Sequence, residues 1–310
     1  MFKKTLIAAA VATMASSVAM ADVKIGGKVE QQQQKSEAGE WSGWSDVRLT
    51  VSGDEDLGNG MSAFFMFQDE MGLRTGAGAQ QYDQLVGLKS SAGTLIMGKV
   101  EDFTESKVMS MTDKTMGAGS VEIGANLGRN EGAIAYVSPS FSGLTVGVAG
   151  YALSASGGDQ DAFDAVDLGL MYSNGPLSVN VAFENDKRAA TAATAATAAF
   201  DSGDSTSIGA SYAAGDLTVA ATQQMTSYDT AGKADEDDTS IAVTYNMGNN
   251  KVVVGWNDNE TSAGATVTDT NSNVIELQHS FSKTTAAYVQ FYNTDVAAGD
   301  TTSFGLQHSF

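Results

Sequence analysis

Beyond residue 21 the chain alternates. Leu177, Val179, Val181 and Phe183 are interleaved with Ser178, Asn180, Ala182 and Glu184. That is the period at which a strand turns one face to apolar surroundings and the other to water. The same alternation sets Ile241, Val243, Tyr245 and Met247 against Ser240, Ala242, Thr244 and Asn246. It recurs in Val47/Leu49/Val51, Ile208/Ala210/Tyr212, Val252/Val254/Trp256, Ile275/Leu277/Phe281 and Phe304/Leu306/Phe310. Helical periodicity is almost absent.

The pattern predicts sixteen strands, at 22–34, 44–53, 61–71, 81–89, 94–100, 128–137, 143–152, 162–173, 177–185, 204–213, 217–228, 238–247, 250–258, 271–281, 284–294 and 301–310. Seven connections read as short turns, at 54–60, 90–93, 138–142, 174–176, 214–216, 248–249 and 282–283. The other eight are mostly longer and polar, the longest at 101–127 and about 186–203. Short turns on one side, longer loops on the other and both termini on the short-turn side are the layout of a closed outer-membrane barrel. Pro139 and Pro176 fall in short turns, as ladder hydrogen bonding requires.

A soluble sandwich would bury the apolar face, and sixteen strands would then enclose a large core with few aromatics to fill it. Here the polar faces are rich in Ser, Gly, Thr, Asn and Gln, which suits a wet lumen. Tyr172, Phe183, Tyr212, Tyr245, Trp256, Phe291 and Phe310 sit toward strand ends, where interfacial girdles form. The expected fold class is all-β: a 16-stranded antiparallel transmembrane β-barrel over residues 22–310.

Residues 1–21 are expected to be a cleaved export signal. Lys3 and Lys4 precede a short apolar stretch, Leu6 to Ala12, and Ala19-Met20-Ala21 supplies the small-x-small cleavage pattern. Across the 310 residues, 37 acids face 17 bases for a formal charge of −20, and there is no cysteine. An acidic balance argues against nucleic-acid binding, which needs a basic footprint. Without cysteine there are no disulfides, thiolate metal sites or cysteine nucleophile.

Several segments resemble the general diffusion porins of Gram-negative outer membranes. Val47-Arg48-Leu49-Thr50-Val51-Ser52-Gly53 with Glu55-Asp56-Leu57-Gly58 resembles that family's second strand and first periplasmic turn. Val86-Gly87-Leu88 and Gly93-Thr94-Leu95-Ile96-Met97-Gly98-Lys99 resemble the pair of strands before its long third loop. Arg129-Asn130 with Ala135-Tyr136-Val137-Ser138-Pro139-Ser140-Phe141-Ser142-Gly143-Leu144 resembles the return strand, and terminal Phe310 resembles the barrel-assembly signal. Three positions depart from the family pattern: His308 where an aromatic is usual, Lys99 for an arginine, and Tyr82 where the pore ladder commonly has arginine.

The resemblance implies a passive channel for small hydrophilic solutes and ions, assembled as a homotrimer and delivered by the barrel-assembly machinery through Phe310. It also implies contact with outer-membrane lipid and lipopolysaccharide. Parity turns Lys24, Lys28 and Glu30 inward, with Asp46 and Arg48 on the second strand and Arg129 and Glu131 on the sixth. Lys24, Lys28, Arg48 and Arg129 would form the basic wall. In the family the third loop folds into the barrel and opposes such a wall with carboxylates, so an inward-folded third loop is expected; here it carries Glu101, Asp102, Glu105, Asp113 and Glu122, against Lys107 and Lys114. Asp113 and Glu122 are placed nearest the eyelet, and Met109, Met111 and Met116 pack the loop inward. The excess of acid predicts a modest cation preference.

Rival readings are a substrate-specific channel, with Tyr288 and Tyr292 as stacking sites, and a barrel serving adhesion or phage reception through its loops. The run Asp235-Glu236-Asp237-Asp238 reads as a solvated outer loop, and Ala189–Ala199 as a low-complexity one. His279 and His308 share the lipid-facing side of their strands, away from any nucleophile, so no hydrolase is expected. No cofactor or metal site is expected either.

Overall fold

The computed structural model describes residues 22–72, 80–124, 127–152, 162–187, 202–229, 233–263, 266–297 and 299–310. The expected export signal and the Ala189–Ala199 segment lie outside them. Sixteen strands follow one another: β1 Asp22–Ser36, β2 Trp41–Gly58, β3 Met61–Gly72, β4 Gln80–Ser90, β5 Gly93–Glu101, β6 Arg129–Val137, β7 Leu144–Tyr151 and β8 Ala165–Asn174. The second half continues with β9 Leu177–Asp186, β10 Gly203–Ala214, β11 Leu217–Tyr228, β12 Asp235–Met247, β13 Asn250–Ala263, β14 Thr266–Ser280, β15 Thr285–Thr294 and β16 Thr301–Ser309.

Each strand pairs antiparallel with its neighbours in sequence, and β16 returns to β1, closing the sheet. Closure leaves no edge with unpaired backbone groups, which is what the hydrocarbon of a bilayer demands. The chain's last residue completes the seal: Phe310 N–H donates to Gly27 O, and Gly27 N–H to Phe310 O, both at 3.0 Å.

The alternation read from the sequence becomes two faces. Val23, Ile25 and Val29 of β1, Val254 and Trp256 of β13 and Phe304 and Leu306 of β16 are exposed on the outer surface. Their neighbours Glu30, Gln32, Val253 and Ser303 are buried on the other face. Phe183, Tyr212, Tyr245, Trp256, Phe291 and Phe310 are exposed, but only Tyr212, Tyr245 and Phe310 lie near strand ends; Trp256 sits in the middle of β13, and Tyr172 is half-buried.

Two expectations about boundaries change. The first turn was placed at 54–60, but β2 runs to Gly58 and pairs Gly58 with Met61. Only Asn59 and Gly60 remain between the strands, with φ of 54° and 74°, the two-residue turn that matches strand twist. The acidic run from Asp235 is strand and not loop, because β12 to β14 extend well past their apolar stretches. Polar alternation carries no hydrophobic signal, so the sequence pattern stops where the apolar side chains stop, although backbone pairing goes on.

Two register breaks matter for the site. Between Phe67 and Asp69, two residues of β4, Tyr82 and Asp83, face the single residue Gln68. Between Gly98 and Val100, Glu131 and Gly132 of β6 face Lys99 alone, with Gly132 at φ 68°. Each extra residue resets which side chain looks which way.

Candidate functional site

The 101–128 connection is organised by the strands around it. It leaves β5 as a π-helical turn at Thr104–Val108 and a 3₁₀ turn at Met109–Met111. Its backbone N–H groups are then captured by polar-face side chains of distant strands. Phe103 N–H donates to Asp167 Oδ2 at 2.6 Å and Leu127 N–H to Glu184 Oε2 at 3.2 Å. Met116 and Gly117 donate to the two oxygens of Glu276 at 2.8 and 2.9 Å. Ala118 donates to Gln32 Oε1 at 3.1 Å, Gly119 to Gln290 Oε1 at 2.9 Å and Gly124 to Asp238 Oδ2 at 2.9 Å. A segment without regular structure thereby satisfies its buried donors.

Apolar packing complements these bonds. Phe103, Val108, Met109, Ile123 and Leu127 are buried in one cluster with Ala135, Ala149, Tyr151 and Ala182 of the strands. The Phe103 ring rests where the strands carry glycine: a Cβ at Gly147 would stand 2.2 Å from it, and one at Gly169 2.7 Å. Gly255 similarly receives Val121, at 2.1 Å. Met109 and Met111 are buried as expected, whereas Met116 is half-buried.

Facing this segment is the basic row of β1 and β2. Lys28, Arg48 and Glu70 are directly paired across β1, β2 and β3. Lys28 Nζ donates to Glu30 Oε2 at 3.1 Å, and Arg48 Nε to Glu70 Oε2 at 2.8 Å. Arg129, the first residue of β6, holds three carboxylates. Its Nη1 donates to Glu105 Oε1 at 2.6 Å and its Nη2 to Glu101 Oε1, while Nε lies 3.6 Å from Asp83 Oδ1. Both guanidiniums lie over the Tyr82 ring, Arg48 at 3.9 Å and Arg129 at 4.3 Å from its centroid, a cation–π arrangement.

Arg48, Tyr82, Glu101, Glu105, Asp113, Glu122 and Arg129 line one cavity of about 280 Å³. Two expected bases and four expected acids therefore meet. Burial raises Glu122 to about 7, helped by the charge of Asp113 and opposed by a hydrogen bond from Ser120.

Three expectations do not hold at this cavity. Asp102 is fully buried, and its oxygens accept the N–H groups of Glu105, at 2.6 Å, and Gly128. It staples the two ends of the loop together instead of facing solutes, and burial raises its carboxyl well above the usual range. Lys24 lies toward the short-turn end, opposite Ser52, exposed and 3.6 Å from Asp54, so it stands apart from the cluster. Glu131 is exposed beside buried Asn130, because the extra residue in β6 breaks the parity that turned it inward. Asp83 was not expected in the site, whereas Tyr82 stands where the resemblance puts a residue of the pore ladder, against what alternation alone gives. The outward set by Val86 and Leu88 would turn Tyr82 outward too, and no sequence signal announces the bulge that reverses it.

The chain matches the Gram-negative porin family profile over residues 8–299. An outer-membrane porin protein of Bordetella pertussis is 30% identical over 161 residues, covering 44% of this chain and 41% of that protein; the match spans less than half of either. Among solved structures, Salmonella typhi OmpF, in complex with daunomycin, superposes with a TM-score of 0.76 at 14% identity, over 93% of this chain and 97% of that one. The anion-selective porin from Comamonas acidovorans gives 0.73 at 21%, over 94% and 100%. A loop-deletion form of Vibrio cholerae OmpT gives 0.73 at 17%, over 94% and 99%. With a closed sixteen-stranded barrel and a profile match along nearly its whole length, the chain belongs to the Gram-negative porin family of outer-membrane proteins.

Proposed function

We propose that this barrel is a general diffusion channel for small hydrophilic solutes and ions, weakly selective for cations, and that the 101–128 loop folds into it to form the narrowest point. The observation that carries the reading is the cavity where Arg48 and Arg129 meet Glu101, Glu105, Asp113 and Glu122. Opposed charges across a narrow aqueous path set a transverse field that acts on passing ions and dipoles. Four carboxylates against two guanidiniums leave the field negative on balance. Residues 1–21 direct export, three copies assemble, and Phe310 engages the assembly machinery, with lipopolysaccharide around the finished barrel. The relatives support the assembly: one Vibrio cholerae OmpT structure is described as a trimer.

The substrate-specific alternative loses one of its two stacking sites, while Tyr292 is half-buried. Tyr288 is buried and donates to Gln32 Oε1 at 2.6 Å, so its ring offers no open face. Reversal potentials under a potassium chloride gradient test the proposal, together with swelling of liposomes in neutral sugars of increasing size. Cation-directed potentials and uptake graded by size are expected. Anion selectivity, or saturable uptake of one sugar alone, would overturn it.

A further inference from the structure

The loop has a second charged side that the constriction does not use. Every lumen-side base of the basic row is ion-paired: Lys28 with Glu30, Arg48 with Glu70, Arg129 with three acids. Lys107 and Lys114 make no ion pair within 4.0 Å among the described residues. Both line a separate cavity of about 530 Å³, at the ends of β7 to β11 nearest their short turns. Its wall is rich in hydroxyls, Ser140, Thr145, Ser178 and Ser211 among them, and no carboxylate is found among its described lining residues. Asn180 fixes the loop there by donating to Lys107 O at 2.7 Å, and Lys114 Nζ donates to Ser110 O. Lys251, near the start of β13, is also within electrostatic range of Lys114, although the Glu276 carboxylate acts on it more strongly.

Unpaired ammonium groups facing a carboxylate-free wall of neutral donors make a receptor for a compact oxyanion. The ammonium groups supply charge, and several spaced hydroxyls can donate at once to the separate oxygens of an oxyanion, where chloride offers a single acceptor centre. We propose that this vestibule is a binding subsite for phosphate oxyanions, including those carried on small polyols, entered from the short-turn side of the barrel. The loop would then be bipolar: its acids bias the constriction toward cations, and its lysines hold an anion in the wider space beside it. This rests on the reading of the barrel as an open channel, and the test separates the two.

The probe is glycerol phosphate added to one side of a single channel conducting potassium chloride, with glycerol as the control. Wild-type current should fall saturably when the phosphate is on the short-turn side and not with glycerol. K107Q/K114Q should raise the half-blocking concentration tenfold or more, while K107R/K114R keeps it within about threefold. Full potassium chloride conductance without phosphate block, or a block that survives K107Q/K114Q, would overturn the subsite. A wild-type protein that does not conduct at all would overturn the channel reading instead. The subsite is then read without current, as phosphorus-31 line broadening of glycerol phosphate by the detergent-solubilised protein, lost in K107Q/K114Q; no broadening by wild type would refute it.

Discussion

Replacing Arg129 with glutamine keeps a polar, though shorter, side chain and removes one positive charge from the cavity proposed as the constriction. Arg129 lies against Glu101, Glu105 and Asp83, and with Arg48 it is one of two bases lining a cavity that holds four acids. The substitution makes that cavity more negative by one charge. For an ion passing at about 5 Å, one unit charge in water is worth about 0.8 kcal/mol, which screening at physiological salt reduces to about 0.4 kcal/mol. That favours a monovalent cation roughly twofold and disfavours an anion equally, so the permeability ratio should move roughly fourfold toward cations. At 1 M salt the Debye length falls to about 3 Å and the change should shrink to less than twofold. The assay is the zero-current potential under a fixed potassium chloride ratio at low and at high absolute concentration. A ratio that stays put at low salt, or moves toward anions, refutes the placement of Arg129 in the ion path.

Further outcomes follow from the same geometry. Because burial lifts Glu122 to about 7, lowering the pH from 8 to 6 should protonate it and reduce cation preference, while an ordinary carboxylate would stay charged; E122Q should make this dependence shallower, and a slope unchanged from wild type in E122Q would refute the assignment. In D102A the N–H groups of Glu105 and Gly128 lose their acceptor, at about 1–3 kcal/mol for each buried donor left unmet; noisier open-channel current and a lower unfolding temperature by gel mobility are expected, and wild-type values in both would count against the staple. G147V would drive a side chain into the Phe103 ring, already 2.2 Å from a bare Cβ, so altered conductance with a barrel that still folds is expected, and unchanged conductance would mean the loop root does not bear on the pore. K24Q should leave selectivity within about 1.5-fold, since Lys24 is exposed at the short-turn end beside Asp54 and exposed charges beyond a Debye length are screened.

What was legible in the sequence was everything that repeats. Period-two alternation such as that of Leu177 to Glu184 is a local property, imposed wherever one face meets lipid and the other water. It located all sixteen strands to within a few residues, and with them the antiparallel closure that puts Phe310 beside Gly27. The residue types of the site were legible too: two arginines on strands and acids on the long loop. What the sequence could not determine was anything set by a single inserted residue or by a partner far along the chain. The bulge opposite Gln68 turns Tyr82 toward Arg48, and the one opposite Lys99 leaves Glu131 exposed, because an extra residue breaks the parity argument where it is inserted; Arg129, two residues before Glu131, still faces the cavity as parity expected. The role of Asp102 rests on its closeness to Gly128, and the path of the loop on Glu276, Gln290 and Asp238, more than a hundred residues away. Alternation follows from local solvation and is written residue by residue; the charged cavity depends on which distant backbone N–H meets which carboxylate, and only the closed barrel decides that.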